Sequence, residues 1–438
     1  MTMKVVQYFL VSIYVLLLHI SYVDFISPNF SYLGYRHVSV DSISIALTIA
    51  LIFCPLLIAK VGVTQPSGIL FWILYAIVYI PVLLIPNYLY GVVPWENWLT
   101  DFVLLGSMLL LYSVSSWRLL HIPLIKIKRT IVQWMYVLLT TGFFLYIVKV
   151  SGIHLKPPTD SEDIYAARLS FRQHTSPVVG YGMQWLAKIF NPILVVYGLV
   201  NKKWMFILLG FAMQYLLFTT NGLKSTLMST ALLILVAVAL RKKGRYFSIL
   251  FVGGLSCLLC LSVGYDYMTS SYEMTSLLSR RMICTPGLLM NYYVDFFSHH
   301  EQMHLSYSIL SGIFTNPYAT TPPFIIGEAY FNRPDMAANA NFFADGFANF
   351  GYSGIAIYTA VAAIIMWIYN SLAEGPIKLF AMLLLVMPVW SLTDTSLTTV
   401  FLTHGLLLAI ISLYFIKCSG GEELDAKSVQ YQLGPSLE

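Results

Sequence analysis

Twelve apolar runs, each long enough to cross a lipid bilayer as a helix, dominate this chain of 438 residues. A spanning α-helix needs about 20 predominantly apolar residues. Only 10% of the residues are charged, whereas soluble domains carry about 25%, so a soluble fold is excluded. The sequence predicts an all-α polytopic membrane protein with about twelve transmembrane helices. The predicted spans are 5–23, 43–60, 68–86, 101–118, 131–149, 184–200, 203–220, 225–240, 246–264, 344–369, 377–393 and 397–416.

Basic residues in the loops predict how the chain is oriented, because cytoplasmic loops of membrane proteins retain an excess of Lys and Arg. The basic residues fall on one face if both termini are cytoplasmic. They are Lys4, Lys60, Arg118, Lys126, Lys128, Arg129, Lys202, Lys203, Arg241, Lys242, Lys243, Arg245, Lys378 and Lys417. We therefore expect one transmembrane domain over residues 1–418, followed by a disordered cytoplasmic tail over 419–438.

The opposite face receives four loops, of which 150–183 and 265–343 are enlarged and predicted to be periplasmic; the shorter two are 24–42 and 87–100. In the first enlarged loop, Arg168 and Arg172 are four residues apart and share one face of a predicted short helix. Two guanidinium groups so placed suit a pyrophosphate. The alternative is a surface helix with ion pairs to Asp160 or Glu162.

Lys224 lies in a short turn that is predicted to be on the same side as the enlarged loops. Its ammonium group either reaches lipid headgroups or faces the same cavity as the arginines. We therefore include Lys224 among the candidate substrate-binding residues.

The second enlarged loop contains a Thr-Pro pair, Thr285-Pro286, that is typical of a helix start. The pair predicts a helix from Pro286 to about Ser298, with Arg280 and Arg281 just before its N-terminus. Unpaired backbone N–H groups at a helix start favour anions, which predicts a pyrophosphate-binding site here. The alternative is contact of these arginines with lipid phosphates.

Three further polar residues in this loop are candidate site residues. Asp295 lies on the polar face of the predicted helix and is a candidate substrate ligand. His299 follows at its end and favours a general-base or solvated role over a metal site, since the chain has no DxD motif. Glu328, flanked by Gly327 and aromatic residues, is predicted to be a base in a partly apolar setting. No metal and no cofactor is predicted.

A polar stripe opens the tenth span, where Asn341, Asp345 and Asn349 recur every four residues. Polar side chains near the membrane usually face a cavity, so Asp345 is a candidate base and the two asparagines are candidate substrate ligands. Three glycines beside the stripe predict a close approach of helices. These are Gly346, Gly351 and Gly354.

Local patterns in residues 280–354 resemble the bacterial O-antigen polymerases (Wzy). The resemblance rests on Arg280-Arg281 through Tyr292 and Asp295, on IGEAYF (326–331) and ANANFFADGFANFGYSG (338–354), and on the plan of twelve spans with two enlarged loops. It implies a glycosyltransferase of lipopolysaccharide biosynthesis in the inner membrane. The enzyme would transfer a glycan from undecaprenyl pyrophosphate to the next lipid-linked repeat unit at the periplasmic face.

The resemblance also implies that loop arginines are important and that a chain-length regulator is a partner. Some members carry an Arg followed by ten residues and a Gly, whereas eleven residues separate Arg168 from Gly180 here. The other expected partners are lipid-linked oligosaccharides and membrane lipids, and no nucleic acid is expected. Two alternatives stay open: an O-antigen ligase, and a flippase or transporter of lipid-linked oligosaccharide, for which charges at mid-membrane and internal repeats are typical.

Overall fold

The computed structural model describes residues 2–152, 176–222, 224–308, 311 and 313–420, and these residues form helices and no β-strand. Within the described residues, nine helices are long and apolar enough to cross a membrane, which confirms a polytopic helical membrane protein. They are Met3–Asn29, Pro66–Tyr90, Trp95–Ser116, Arg129–Val150, Val178–Asn201, Trp204–Asn221, Phe247–Thr269, Phe342–Leu372 and Leu397–Cys418.

Three shorter apolar helices lie where the other three spans are predicted: Ser42–Ile58, Thr230–Ala239 and Lys378–Ser391. Each is shorter than the roughly 20 residues that a straight crossing requires. The count of twelve spans therefore stays a prediction.

The chain divides into two compact units. Unit 1 comprises residues 1–117, 239–366 and 392–398, and unit 2 comprises 118–238, 367–391 and 399–438. The α-helices of unit 1 include Thr2–Ile20, Ser42–Ile58, Pro66–Leu74, Ile80–Tyr90, Trp95–Ser113, Phe247–Thr269, Thr285–His299, Pro322–Phe331 and most of Phe342–Leu372. Its π-helical segments are Ser21–Ile26, Tyr75–Tyr79 and Ser276–Cys284.

Unit 2 is built from helices that pack around a buried amide pair. The Gln214 side chain donates to the Ala187 carbonyl at 2.8 Å, and the Asn191 side chain donates to Gln214 Oε1 at 3.3 Å. The helices of this unit are Arg129–Ser151, Pro177–Trp185, Leu186–Phe190, Asn191–Asn201, Trp204–Asn221, Lys224–Ala239, Lys378–Leu384, Val386–Ser391 and Leu406–Cys418.

The core of unit 1 is the helix Pro66–Tyr90, which is apolar on all sides and almost entirely buried. A helix without a polar face is stable only when neighbours surround it. The hydroxyl groups of two of its tyrosines form hydrogen bonds with the neighbouring helix Ser42–Ile58. Tyr75 donates to the Ile52 carbonyl at 2.8 Å, and Tyr79 donates to the Leu51 carbonyl at 2.9 Å.

One end of unit 1 gathers segments that carry its predicted cytoplasmic basic residues. The Lys4 ammonium donates to the Leu56 carbonyl at 2.6 Å. The Val63 N–H donates to the Gly244 carbonyl at 3.1 Å, beside Arg245. This arrangement agrees with the predicted alternation of the loops in this unit.

The opposite end of unit 1, which we call the polar end, is formed by residues 21–41, 88–97 and 276–299. Backbone bonds hold the first segment against the second, with Val38 donating to Tyr88 at 3.0 Å and Asp41 to Gly91 at 3.2 Å. The predicted site residues of unit 1 lie either at this end or in the part of the chain that follows residue 299.

Candidate functional site

Residues 276–299 form one continuous helix, here called the arginine helix. Its π-helical part, Ser276–Cys284, runs directly into the α-helix Thr285–His299. The Thr285 N–H donates to the Arg280 carbonyl, and the Thr285 hydroxyl donates to the same oxygen at 2.7 Å. The α-helix predicted from Pro286 to about Ser298 is thus present as Thr285–His299, but it continues a preceding helical segment and has no free N-terminus at Thr285 to bind an anion.

The start of the helical region lies about ten residues earlier and is capped by Asp266. The Asp266 carboxylate accepts the Thr275 N–H at 2.7 Å and the Met274 N–H at 3.3 Å. Because this carboxylate already satisfies the first N–H groups, the chain enters Ser276 in a helical conformation. The helix-terminus argument for a pyrophosphate site thus fails, and the side chains of the arginines must be considered by themselves.

Arg280 is 8% exposed, and its guanidinium contacts Ser276 and Phe30 within the protein. Nε and Nη2 donate to Ser276 Oγ at 3.1 and 2.9 Å, and Cζ lies 4.1 Å from the centroid of the Phe30 ring. Burial lowers the pKa of Arg280 from its usual value. A desolvated cation–π contact contributes about 2 kcal/mol. Arg280 thus fastens residues 21–41 to the arginine helix, and its role in substrate binding stays a prediction.

Arg281, the next residue, is exposed. The neighbouring Ser279 is in contact with the first helix, its Oγ lying 3.1 Å from Ser21 Oγ. Three residues after Ser21, the exposed Asp24 accepts a hydrogen bond from Tyr267. Arg281 remains available to an anionic ligand, and Asp24 is an exposed carboxylate of the polar end that the sequence analysis missed.

Asp295 lies on the exposed face of the arginine helix beside a pair of stacked tyrosines. The Tyr330 hydroxyl donates to Asp295 Oδ2 at 2.5 Å. The rings of Tyr292 and Tyr330 are parallel within 12°, with centroids 4.2 Å apart. This surface joins an acceptor and two aromatic rings, which is a setting suited to a polyhydroxylated ligand.

His299 is exposed and has a defined tautomer. Its Nδ1 lies 2.8 Å from the Asp295 carbonyl oxygen. Because a carbonyl only accepts, Nδ1 carries the proton and a neutral ring keeps a free lone pair on Nε2. His299 can therefore act as a base toward a hydroxyl group that approaches from solvent.

The length of the arginine helix separates these candidates. At 1.5 Å per residue, Asp295 lies about 21 Å from Arg281 along the helix axis, and His299 about 27 Å. General-base catalysis requires hydrogen-bond reach of the reacting group. Arg281 and His299 therefore do not serve one reacting centre.

Glu328 is exposed on the short helix Pro322–Phe331, whereas Ile325, Ile326 and Gly327 of that helix are buried. The prediction of a partly apolar setting for Glu328 is thus wrong.

The polar stripe of Asn341, Asp345 and Asn349 is confirmed as a single buried face, but its contacts are with the protein itself. Asn341 caps the helix Phe342–Leu372, with Oδ1 accepting the N–H groups of Phe343 and Ala344 at 3.1 Å. Its amide also donates to the Pro286 carbonyl at 3.2 Å. Asn341 therefore ties this helix to the arginine helix.

Asn349 holds the segment 303–308 against the helix. Its Oδ1 accepts the Leu305 N–H at 2.7 Å, and its Nδ2 lies 2.9 Å from the Tyr307 hydroxyl and 3.1 Å from the Tyr358 hydroxyl. Asn349 is fully buried. These contacts leave no polar atom of Asn349 open to a substrate.

Asp345 is buried in the same network, where Tyr307 donates to its Oδ1. Burial, and then the Asp345 carboxylate, raises the pKa of Tyr307 well above its usual value, so Tyr307 stays a donor. The Asp345 carboxylate also interacts with the Tyr358 hydroxyl. Asp345 is thus enclosed, and a substrate reaches it only if residues 303–308 move.

The stripe and the segment meet at a sharp kink in Phe342–Leu372. Phe350 and Gly351 leave helical geometry there, with φ of −147° and 59°. A Cβ added to Gly354 would lie 1.8 Å from the Gly346 carbonyl oxygen. The predicted close approach is therefore confirmed between the two arms of one helix, and residues 352–372 still extend about 31 Å, enough to cross a bilayer.

Three further predicted substrate-binding residues are Arg168, Arg172 and Lys224. Arg168 and Arg172 lie outside the described residues. Lys224 begins the helix Lys224–Ala239 in unit 2.

Arg36 is an exposed arginine at the polar end that the sequence analysis missed. It lies in the predicted outer loop 24–42, where the positive-inside rule disfavours a basic residue most strongly because the loop is short. Applying that rule to the short loops as well as the long ones identifies Arg36.

Within the part of the chain that the structure describes, no three side chains of His, Cys, Asp or Glu lie close enough to hold a metal ion together. No protein-family model matches the chain, and no curated protein or solved structure shows significant similarity to it.

Proposed function

We propose that this protein is an O-antigen polymerase, a glycosyltransferase that joins repeat units carried on undecaprenyl pyrophosphate. We place it in the bacterial inner membrane with twelve spans, with both termini in the cytoplasm and the polar end of unit 1 facing the periplasm. The support is the resemblance of residues 280–354 to that family, together with the arrangement of the polar end.

The observation that carries the proposal is the arginine helix. It presents the exposed Arg281 near one end and the exposed Asp295 and His299 near the other. The two groups are matched to two parts of one ligand, since a guanidinium binds a pyrophosphate and the Asp295 surface suits sugars. A lipid-linked oligosaccharide carries both parts on one molecule.

In the proposed reaction, a hydroxyl oxygen of the acceptor sugar attacks the anomeric carbon of the donor glycan. The bond from that carbon to the pyrophosphate oxygen breaks, undecaprenyl pyrophosphate leaves with the bonding electrons, and the hydroxyl proton passes to a base. Arg281 stabilises the charge that develops on the leaving pyrophosphate. The base must lie near the attacked carbon and therefore near Arg281, which disfavours His299, about 27 Å away along the helix.

The proposal is tested with Arg281→Ala in a strain that lacks the chromosomal copy of this gene. Removal of a charge that acts on the leaving group is expected to lower polymer synthesis by about 100-fold or more. Lipopolysaccharide gels should then show lipid A core carrying one repeat unit in place of the ladder. Arg333→Ala is the matched control, because Arg333 is exposed and forms an ion pair at 3.0 Å with the equally exposed Asp335.

The same gel separates a polymerase from both alternatives. Loss of a ligase leaves core without any repeat unit, and so does loss of a flippase, because no repeat units then reach the periplasm. A wild-type ladder from Arg281→Ala at normal membrane levels of protein would contradict the proposed role of Arg281.

A further inference from the structure

We infer that the polar end of unit 1 holds a sugar-binding subsite between Arg36 and Asp295, on the stacked rings of Tyr292 and Tyr330. The inference rests on the proposed function in that the bound sugar belongs to a lipid-linked oligosaccharide. The subsite recognises an uncharged pyranose with neighbouring hydroxyl groups.

The platform of this subsite is rigid. Tyr292 packs so closely on residue 34 that a Cβ added to Gly34 would lie 1.7 Å from the Tyr292 hydroxyl. Tyr330 is stacked on Tyr292 and is also bonded to Asp295. Phe331 meets the Tyr292 ring edge-on, with centroids 5.7 Å apart. A pyranose presents a face of C–H groups, and such a face packs on the negative face of an aromatic ring.

The neighbouring amides are bonded to each other and to Tyr90, which identifies two open groups beside them. The Asn291 side chain donates to the Tyr90 hydroxyl at 3.0 Å and accepts from the Asn97 amide at 2.8 Å. The Tyr90 hydroxyl is thus an acceptor in that bond, and its own proton stays available. Asp295 Oδ1 has no partner within the described residues, since Tyr330 donates to Oδ2.

Arg36 completes the set with a guanidinium that has no ion-pair partner in the described part of the chain. Its backbone is fixed, because the Arg36 carbonyl accepts the Tyr22 hydroxyl at 2.8 Å and the Tyr22 ring stacks on Tyr88. The charge of Arg36 acts to lower the pKa of the Tyr90 and Tyr292 hydroxyls, and the charge of Asp295 acts to raise the pKa of the same two groups. Burial raises the pKa of Tyr292 to about 12, so this ring stays neutral.

The charges select an uncharged ligand. The exposed cation Arg36 and the exposed anion Asp295 lie near the same two tyrosine hydroxyls. A phosphate bound there would be attracted by Arg36 but repelled by Asp295. A pair of neighbouring sugar hydroxyls can donate to Asp295 Oδ1 and accept from Arg36 and Tyr90 without either penalty. Since Asp295 is about 21 Å from Arg281 along the helix, the bound sugar is several residues away from the pyrophosphate.

The experiment measures binding of the free repeat-unit oligosaccharide, released from its lipid pyrophosphate by mild acid, to full-length protein in lipid nanodiscs. Isothermal titration calorimetry gives the affinity. Asp295→Asn and Arg36→Ala are each expected to weaken binding about tenfold or more, because each removes a charge-assisted hydrogen bond. Arg333→Ala, the matched exposed control, and Arg281→Ala should bind as the wild type does, and inorganic pyrophosphate should not compete.

Wild-type affinity in both Asp295→Asn and Arg36→Ala would overturn the subsite, as would the absence of any binding to the wild-type protein. The proposed function is judged separately by the polymer ladder of Arg281→Ala. If that ladder is normal while oligosaccharide binding still depends on Arg36 and Asp295, the polymerase proposal fails and the subsite stands.

Discussion

Substitution of Asn349 by alanine tests whether this residue organises the fold or binds substrate. The change removes the acceptor of the Leu305 N–H and the amide that reaches Tyr307, Tyr358 and the Asp345 carbonyl. A donor left without a partner in a buried setting costs about 1–3 kcal/mol. We therefore expect Asn349→Ala to reduce the free energy that holds residues 303–308 on the helix by at least that amount.

Backbone strain in the segment acts in the same direction. His304 and Leu305 have φ of 48° and 64°, a left-handed conformation that residues with a side chain seldom adopt. Such strain persists only where the surroundings over-determine it. Without the contacts of Asn349, the segment lowers its free energy by relaxing out of this strained conformation.

Hydrogen exchange followed by mass spectrometry measures this opening directly. The amides of Met303, His304 and Leu305 donate to the Ala348 carbonyl, the Asn349 carbonyl and Asn349 Oδ1. A loss of about 1–3 kcal/mol in local opening free energy speeds their exchange by about 5- to 150-fold. The purified protein in detergent is compared with Asp335→Asn, which changes an exposed carboxylate and should leave this peptide unaffected.

The opposite result has a clear meaning. If exchange over residues 303–306 is unchanged in Asn349→Ala while polymer synthesis is lost, then Asn349 acts on the substrate, and its role as the anchor of this segment is refuted.

Three further substitutions test other contacts. Arg280→Lys loses the planar stack and the paired hydrogen bonds, and should lower the free energy of unfolding by about 1–3 kcal/mol; unchanged thermal unfolding would contradict the role of Arg280 as a fastener. Gly354→Ala forces a Cβ against the Gly346 carbonyl and should cost about 1–3 kcal/mol or more, whereas Gly264→Ala, which meets nothing within 4 Å, should not reduce the yield of folded protein. Burial raises the pKa of Cys284 to about 12, so a variant that retains this cysteine alone should react with maleimide only after denaturation; labelling of the native protein would refute its burial.

The long apolar helices were predictable because a span is recognised from the apolar composition of about 20 consecutive residues, which does not depend on any single contact. Pro66–Tyr90 is recognised from its uniform apolar composition, and burial on all sides is the consequence. The polar stripe was predictable for a similar reason, since a spacing of four residues places Asn341 and Asn349 on one face of any helix.

The partners of that stripe were not predictable. Asn341 reaches the Pro286 carbonyl and Asn349 reaches the Leu305 N–H, and both contacts depend on where distant segments pack. For the same reason, spacing alone suggested a substrate-facing cavity where the protein instead satisfies its own polar groups.

The start of the arginine helix was misjudged because Thr285-Pro286 is a local signal and the true cap is not local. Asp266 reaches forward from the end of the preceding helix to the N–H of Thr275. A π-helical segment such as Ser276–Cys284 then continues the helix through the Thr-Pro pair, and it has no residue signature as clear as an N-cap.

The arginine helix also limits where the chemistry can occur. If Arg281 holds the pyrophosphate, the attacked anomeric carbon is one bond from that pyrophosphate, and His299, about 27 Å along the helix, cannot take the proton of the attacking hydroxyl. His299 is instead four residues from Asp295, within the region proposed to bind a distal sugar. Under the proposed function, the two ends of the helix therefore have different tasks: the Arg281 end is matched to the reacting bond, and the Asp295 end to the part of the oligosaccharide that must be recognised but does not react.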